Sequence, residues 1–355
     1  MVNNSREQLL IHYSNKTDEV LQTLPTFVKD FIDDCREKNR SARTIYGYVI
    51  DIRTFFMLLT QENPSLKGDI KNVTLEVLEQ LQYKDLKEYI LDVGVYNIDG
   101  QTRVNKEYAK NRKVSSLRSF YNYLYAAGDI SNNPASILKG PKINGKEPVT
   151  LSRKESDTLL SSIENQAGIT NNLQALRSEK SKYRDKAIAL MLLGTGIRVS
   201  ELVGISLKDF NWSENGVRVI RKGGSEQTVY FDQNVRDAIF DYIKYERISP
   251  DGDDTDALFV SRNKQRMTVR SVERMIKKYT QISVPDKTIT PHKLRASYGT
   301  NLMDATHDAN LVADALGHSN LATVKKYMGH SDKNRRQARE AVDWTNNNSE
   351  EQLEH

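Results

Sequence analysis

The chain has 355 residues, 28% charged and 38% hydrophobic, the composition of a water-facing globular protein long enough for two domains. Membrane, secreted and collagenous classes are excluded: the longest strongly apolar run, residues 187–193, falls far short of the ~20 residues that span a bilayer. The start, Met1-Val2-Asn3-Asn4, lacks a signal-peptide pattern, and the single cysteine, Cys35, rules out an intramolecular disulfide or a Cys-rich zinc site and fits a reducing cytoplasm. The 52 Lys and Arg against 47 Asp and Glu leave a charge of +5, which permits a polyanionic partner without requiring one.

Residues 1–22 are polar with no sustained apolar period, as in an N-terminal arm or a loosely attached helix. From Thr23 the helical pattern is strong, with Phe27, Phe31 and Ile32 on one face. Ser41 caps a longer helix carrying Ile45, Tyr48, Val49, Ile52, Phe55, Phe56 and Leu59 at three- and four-residue spacing, and Asn63-Pro64 ends it. Shorter helices are predicted over 75–81 and 85–93, and 97–103, with Gly100, reads as a loop. A long helix runs from about Asn105 to Ala127, where Gly128 stops it; Val114, Leu117, Phe120, Tyr121 and Leu124 form its apolar stripe. No strand pattern precedes residue 140, so residues 23–138 are expected to form an all-α bundle.

Residues 139–150, rich in Pro, Gly and Lys, read as a domain linker. Beyond it Ser152 opens a helix, 164–182 is a polar insertion, and a buried helix covers 185–193. Residues 216–221 and 227–231 alternate around Lys222-Gly223-Gly224-Ser225 and predict a β-hairpin. Residues 258–261 are a candidate third strand, and helices resume from Val269. The expected fold is therefore mainly α with a small antiparallel β-sheet (α+β), its second, mixed domain at 151–333. A tail follows at 334–352, and 353–355 resemble an expression-tag scar.

Between Arg103 and Lys146 nine Lys and Arg face two acids, Glu107 and Asp129. Lys106, Lys110 and Lys113 recur along the long helix opposite its apolar stripe, with Arg112, Ser116 and Arg118 nearby. Arg43, Thr44 and Arg53 cluster on the helix begun by Ser41, and Lys139 and Lys142 lie in the linker. Either helix alone describes a solvated bundle face; together with the linker they shift the reading toward nucleic acid.

Four local patterns in the second domain bear on chemistry. In Gly194-Thr195-Gly196-Ile197-Arg198 a buried helix ends at a glycine pair, and Glu201 stands three residues beyond Arg198. A carboxylate there fixes a guanidinium that can present its fork to phosphate, although a surface ion pair has the same spacing. Thr290-Pro291-His292-Lys293-Leu294-Arg295 opens a helix with His292 and Arg295 on its first turn, where anions are favoured. Gly317-His318-Ser319 forms a turn between helices, and Tyr327 follows His318 by nine residues. Leu321, Val324 and Tyr327 also have the spacing of plain core packing. Lys222 in the hairpin turn equally describes a solvated turn lysine.

Taken in order, Arg198, Lys222, His292, Arg295, His318 and Tyr327 resemble the catalytic box of the tyrosine recombinase (integrase) family. Residues 41–56 (SARTIYGYVIDIRTFF) and 110–124 (KNRKVSSLRSFYNYL) resemble its core-binding domain, and 258–261 its third strand. The resemblance covers roughly 23–335 and is strongest to Xer-type recombinases, in particular the single-recombinase systems of Gram-positive bacteria; mobile-element integrases are close neighbours.

The resemblance implies a two-domain DNA clamp and a site-specific recombinase working through a 3′-phosphotyrosyl intermediate and a Holliday junction. It implies Tyr327 as nucleophile, Arg198 and Arg295 on the non-bridging phosphate oxygens, His318 as a further donor, Lys222 as general acid and His292 as proton acceptor. Glu201 would orient Arg198. These roles suit the residue types, since a phenol of pKa about 10 needs a base and a cationic pocket to attack at pH 7. No metal or other cofactor is implied, and no P-loop motif for ATP is present. The expected partners are double-stranded DNA bearing specific sites and further copies of the chain in a tetramer on two sites, in the cytoplasm and nucleoid, with no membrane. The purpose would be chromosome dimer resolution at cell division or integration and excision of an element.

Two positions depart from the family pattern. Arg221 replaces the first glycine of the usual Gly-Lys-Gly turn, which makes it a candidate phosphate contact, and Ala296 follows Arg295 where His is frequent. The tail, with Ala338, Ala341, Val342 and Trp344, either packs on its own domain or docks on a neighbouring protomer. Three rival functions remain distinguishable by experiment. A type IB topoisomerase would relax DNA without paired sites, and a DNA-binding protein without catalysis would form no covalent adduct. A His-ligated metallohydrolase would lose activity in EDTA; His307, His318 and His330 lie on separate elements without a His-Glu-x-x-His motif.

Overall fold

The computed structural model describes residues 5–98, 100–143, 148–167, 181–221, 224–247, 256–317 and 324, with backbone alone for 5–8. The chain separates into two compact units, Met1–Asn144 and Gly145–His355.

The first unit contains α1 (Ser5–Leu21), α2 (Thr26–Glu37), α3 (Ala42–Glu62), α4 (Leu75–Gln80), α5 (Tyr83–Asp92) and α6 (Glu107–Ala127). The ends follow local chemistry. The Ser41 hydroxyl accepts from Thr44 N at 3.2 Å, satisfying a helix N–H that has no intrahelical partner. Gly128 closes α6 at φ 80°, in the left-handed region. Phe31 and Ile32 of α2, Phe55 and Phe56 of α3, and Phe120 and Tyr121 of α6 share one core, with the Phe31 and Phe120 rings edge to face at 5.3 Å. Each such side chain contributes about 1.5–3 kcal/mol relative to remaining exposed, so α2, α3 and α6 dominate this unit. The N-terminal segment is helical from Ser5 and lies along α3: the Tyr13 ring is 5.6 Å from that of Tyr46, while Leu9, Leu10 and Ile11 stay exposed.

The loop expected at 97–103 is instead a hairpin, so the first unit is not purely helical. β1 (Val95–Ile98) pairs antiparallel with β2 (Gln101–Val104), Ile98 opposite Gln101. Tyr96 and Ile98 turn into the core while all four β2 side chains are exposed. With one strand wholly exposed, the alternation that marks a strand is present on one side alone. The Asp99-Gly100 dipeptide, a two-residue hairpin signal, was the clue.

The second unit contains α7 (Arg153–Glu164), α8 (Lys182–Thr195), α9 (Val199–Gly204), β3 (Phe210–Asn211), β4 (Gly216–Ile220), β5 (Glu226–Tyr230), α10 (Gln233–Tyr245), α11 (Val269–Ser283), α12 (Pro291–Thr306) and α13 (Ala309–Leu316). Helix α8 is central: Ala187, Ile188, Ala189, Met191 and Leu192 are all fully buried, and α7, α10 and α12 pack around it. The sheet is antiparallel in the order β3-β4-β5, so the predicted hairpin forms with Gly216 opposite Tyr230. Most of the insertion expected at 164–182 lies outside the described residues.

The third strand is β3, not residues 258–261, where Val260 makes an isolated bridge to Arg266. The Arg247 guanidinium donates to the carbonyls of Ala257 and Leu258 at 2.8 and 3.2 Å, while Phe259 O accepts from Met267 N and Ser261 N donates to Gln265 O, so the backbone groups of this span are satisfied by its own following turn. β3 also begins an aromatic stack, the Phe210 and Trp212 rings lying parallel at 4.3 Å. A smaller cluster joins Ala296 and Met303 of α12 to Val312, Ala313 and Leu316 of α13 and to Val324.

Candidate active site

Two glycine turns organise the site. Gly196 ends α8 at φ 63°, and a Cβ there would lie 2.4 Å from the Tyr298 ring and 3.0 Å from Leu316 Cδ2. Position 196 therefore requires glycine for backbone freedom and for close approach. Gly317 ends α13 at φ 59°. Arg198 follows the first turn and His318 the second.

Arg198 is the N-cap of α9 and Glu201 the third residue of its first turn. The Glu201 carboxylate accepts from Arg198 N at 2.8 Å and from Arg198 Nη1 at 2.7 Å. Glu201 is buried, while a third of the Arg198 side chain remains exposed. A buried carboxylate thus holds one edge of a guanidinium that faces solvent at a helix N-terminus, where anions are favoured.

Pro291 stands at the first position of α12, as its fixed φ suits. His292 is exposed there, whereas Arg295 is 2% exposed. Arg295 Nη1 donates to Gly196 O at 2.6 Å and Nη2 to Leu316 O, so one guanidinium ties together the two glycine turns. Tyr298, on the next turn of α12, has its phenol pushed up by burial.

Arg221, expected to contact phosphate, is instead 7% exposed. Its Nη1 donates to Glu201 at 2.8 Å and its Nε to Gln227 Oε1 at 2.9 Å. Burial beside an acid turned it inward, and Gln227 is the partner that sequence reading missed. Lys222, His318 and Tyr327 lie outside the described residues.

On the first unit the basic stripe divides. Arg43, Thr44, Lys106, Arg112, Arg118, Lys139 and Lys142 are exposed; Arg53 and Lys110 are partly buried. Lys113 and Ser116 do not belong to that surface. They are buried on Asp51, Lys113 Nζ at 3.0 Å and Ser116 Oγ at 2.6 Å, and Asp51 also accepts from Arg112 Nη1. An acid in the apolar stripe of α3, beside Ile52 and four residues before Phe55, was the signal that a cation must turn inward to meet it.

Residues 153–335 match the phage integrase family, more than half of the chain. The chain belongs to that family. The tyrosine recombinase XerC of Caldanaerobacter subterraneus subsp. tengcongensis is 35% identical over 315 residues, spanning 86% of this chain and 82% of that protein. XerC of Leptospira interrogans is 29% identical over 313 residues, 87% and 90% of the two chains. In fold, the chain is similar to XerH bound to its difH substrate (TM-score 0.61, 19% identity, 94% of this chain and 89% of that one). It is also similar to the Tn1549 transposon integrase with transposon right-end DNA (TM-score 0.64, 19% identity, 88% and 98%). This tyrosine recombinase is an enzyme of DNA strand breakage and rejoining, and its activity is site-specific recombination. Among the described residues no helix is long and apolar enough to cross a membrane.

Proposed function

We propose that this recombinase cuts each strand through Tyr327, and that paired exchanges pass through a Holliday junction. The Tyr327 oxygen attacks the scissile phosphorus, the bond from phosphorus to O5′ breaks, and a 3′-phosphotyrosyl link forms. Lys222 protonates the leaving 5′-oxygen and His292 accepts the phenol proton. Arg198 and Arg295 stabilise the non-bridging oxygens and His318 donates another hydrogen bond, because charge gathering on phosphorus needs cations already in place. Rejoining reverses the attack with a 5′-hydroxyl, so the bond energy is conserved and neither ATP nor a metal is consumed.

The observation that carries this reading is the Arg198–Glu201 pair, a partly exposed guanidinium braced by a buried acid and linked through Glu201 and Arg221 to the α13 end. Exposed His292 suits a group that exchanges protons with substrate. On the helical unit, 23–138 with the linker 139–150, phosphates are bound by Arg43, Thr44, Arg53, Lys106, Lys110, Arg112, Arg118, Lys139 and Lys142. Catalysis belongs to 151–333.

Four protomers assemble on two sites, the 334–352 tail docking on a neighbour, in the cytoplasm at the nucleoid. The biological role is chromosome dimer resolution or movement of an element. Incubation with DNA carrying candidate host sites, followed by denaturing gels, is expected to show a covalent adduct that Tyr327→Phe abolishes. An adduct persisting in Tyr327→Phe would reject the nucleophile, and relaxation of DNA without paired sites would favour a topoisomerase.

A further inference from the structure

Three consecutive carbonyls at the end of α13 are each bound by a side chain from another element. Asp314 O accepts from Gln227 Nε2 at 3.3 Å, Ala315 O from Arg221 Nη2 at 3.5 Å, and Leu316 O from Arg295 Nη2. Asp314 O also accepts from Gly317 N at 2.8 Å; a helix C-terminus leaves its last carbonyls short of intrahelical donors and concentrates negative charge, so guanidinium groups suit it. Gly317 is packed against the same side chain: a Cβ there would lie 2.9 Å from Arg221 Nε.

The other edge of Arg221 reaches the Arg198 pair. Its Nη1 and the Arg198 backbone N–H donate to one oxygen of Glu201, both at 2.8 Å, while Arg198 Nη1 holds the other at 2.7 Å. Arg221 therefore touches both the carboxylate that fixes Arg198 and the turn that leads into His318.

We infer that Arg221 is a positioning residue for strand cleavage, joining the Arg198 pair and the Gly317 turn into one rigid unit and offsetting the charge of Glu201. The geometric part follows from the fork. Its three nitrogens go to three elements, α9, β5 and α13, so the two turns cannot shift independently. The electrostatic part follows from the charge count. Glu201 paired with Arg198 alone is neutral, whereas with Arg221 the trio keeps a net positive charge for an incoming phosphate. This inference rests on the proposal that Arg198 and His318 serve the scissile phosphate.

The test is single-turnover cleavage of a nicked suicide DNA at saturating protein, comparing the parent with Arg221→Gln, Arg221→Lys and Tyr327→Phe. In Arg221→Gln the rate constant for adduct formation is expected to fall about tenfold to a hundredfold, the scale of a small misplacement of reacting groups. DNA affinity and final adduct yield should match the parent. Arg221→Lys, which keeps the charge without the fork, should recover part of the rate. A merely structural role would lower the yield of active protein and its melting temperature while leaving the rate constant unchanged, and that result overturns the inference. So does a parental rate constant in Arg221→Gln. Equal rates in the Gln and Lys variants would overturn the electrostatic part. Tyr327→Phe reads separately on the nucleophile, since an adduct surviving there rejects the cleavage mechanism whatever Arg221 does.

Discussion

Asp51→Ala is the sharpest test of how the helical unit is held together. The Asp51 carboxylate is 1% exposed and accepts from Lys113 Nζ at 3.0 Å, from Ser116 Oγ at 2.6 Å and from Arg112 Nη1. Removing it leaves the Lys113 ammonium, 2% exposed, without the carboxylate it faces. Breaking a buried pair from one side costs about 3–5 kcal/mol, because the remaining charge stays desolvated. For a unit ending at Asn144, the unfolding entropy is about 0.3 kcal/mol per kelvin, so the melting transition should fall by roughly 10–15 °C. Differential scanning calorimetry of the full chain would show the first unit's transition moving down while the second unit's transition stays. Asp51→Ala combined with Lys113→Met replaces the pair with apolar surface and should recover most of the loss. A single variant melting within about 3 °C of the parent, near 1 kcal/mol on this scale, would refute the argument. A double variant no more stable than the single would refute it equally.

Two further expectations separate surface from interior. Lys106→Ala should weaken DNA binding across sequences and reduce the slope of log affinity against log salt by about one, as expected for one phosphate contact. Lys113→Ala should instead lower the melting temperature; equal salt slopes for Lys106→Ala and the parent would remove Lys106 from the interface. Acid should act through Glu155, whose carboxyl the Lys287 ammonium and the Ser152 N–H hold down to about 2. A depressed folded value gives stability that is present above the ordinary carboxylate pKa and lost as pH falls toward 2. Lys287→Gln should therefore shift the acid unfolding midpoint upward, by a modest amount because Glu155 is partly exposed. An unchanged midpoint would contradict the pairing.

Features set by neighbouring residues were legible in the sequence. Ser41, Gly128, Pro291, Gly196 and Gly317 mark helix ends through backbone chemistry that acts within one turn. The 216–230 hairpin shows alternation on both strands. Legibility failed wherever a distant partner decides the outcome. Helical spacing places Lys113 on a solvated stripe, yet an acid on α3 turns it inward. Arg221 reads as a phosphate ligand until Glu201, twenty positions earlier, claims it. Residues 258–261 have strand composition, but their backbone bonds run back to residues 265–267 and to Ile205 instead of to the β3-β4-β5 sheet. Charged side chains produced most of these corrections, because local pattern records that a charge exists and not which counter-charge folding brings to it.

The stacked Phe210 and Trp212 rings also give the molecule an optical asymmetry. The chain has two tryptophans, Trp212 and Trp344, and both fall after Asn144. The first unit carries no tryptophan, and the indole of Trp212 reports on the second. Circular dichroism sees helices in both units. Where the two signals part company on heating, the gap measures how independently the helical first unit and the second unit come undone.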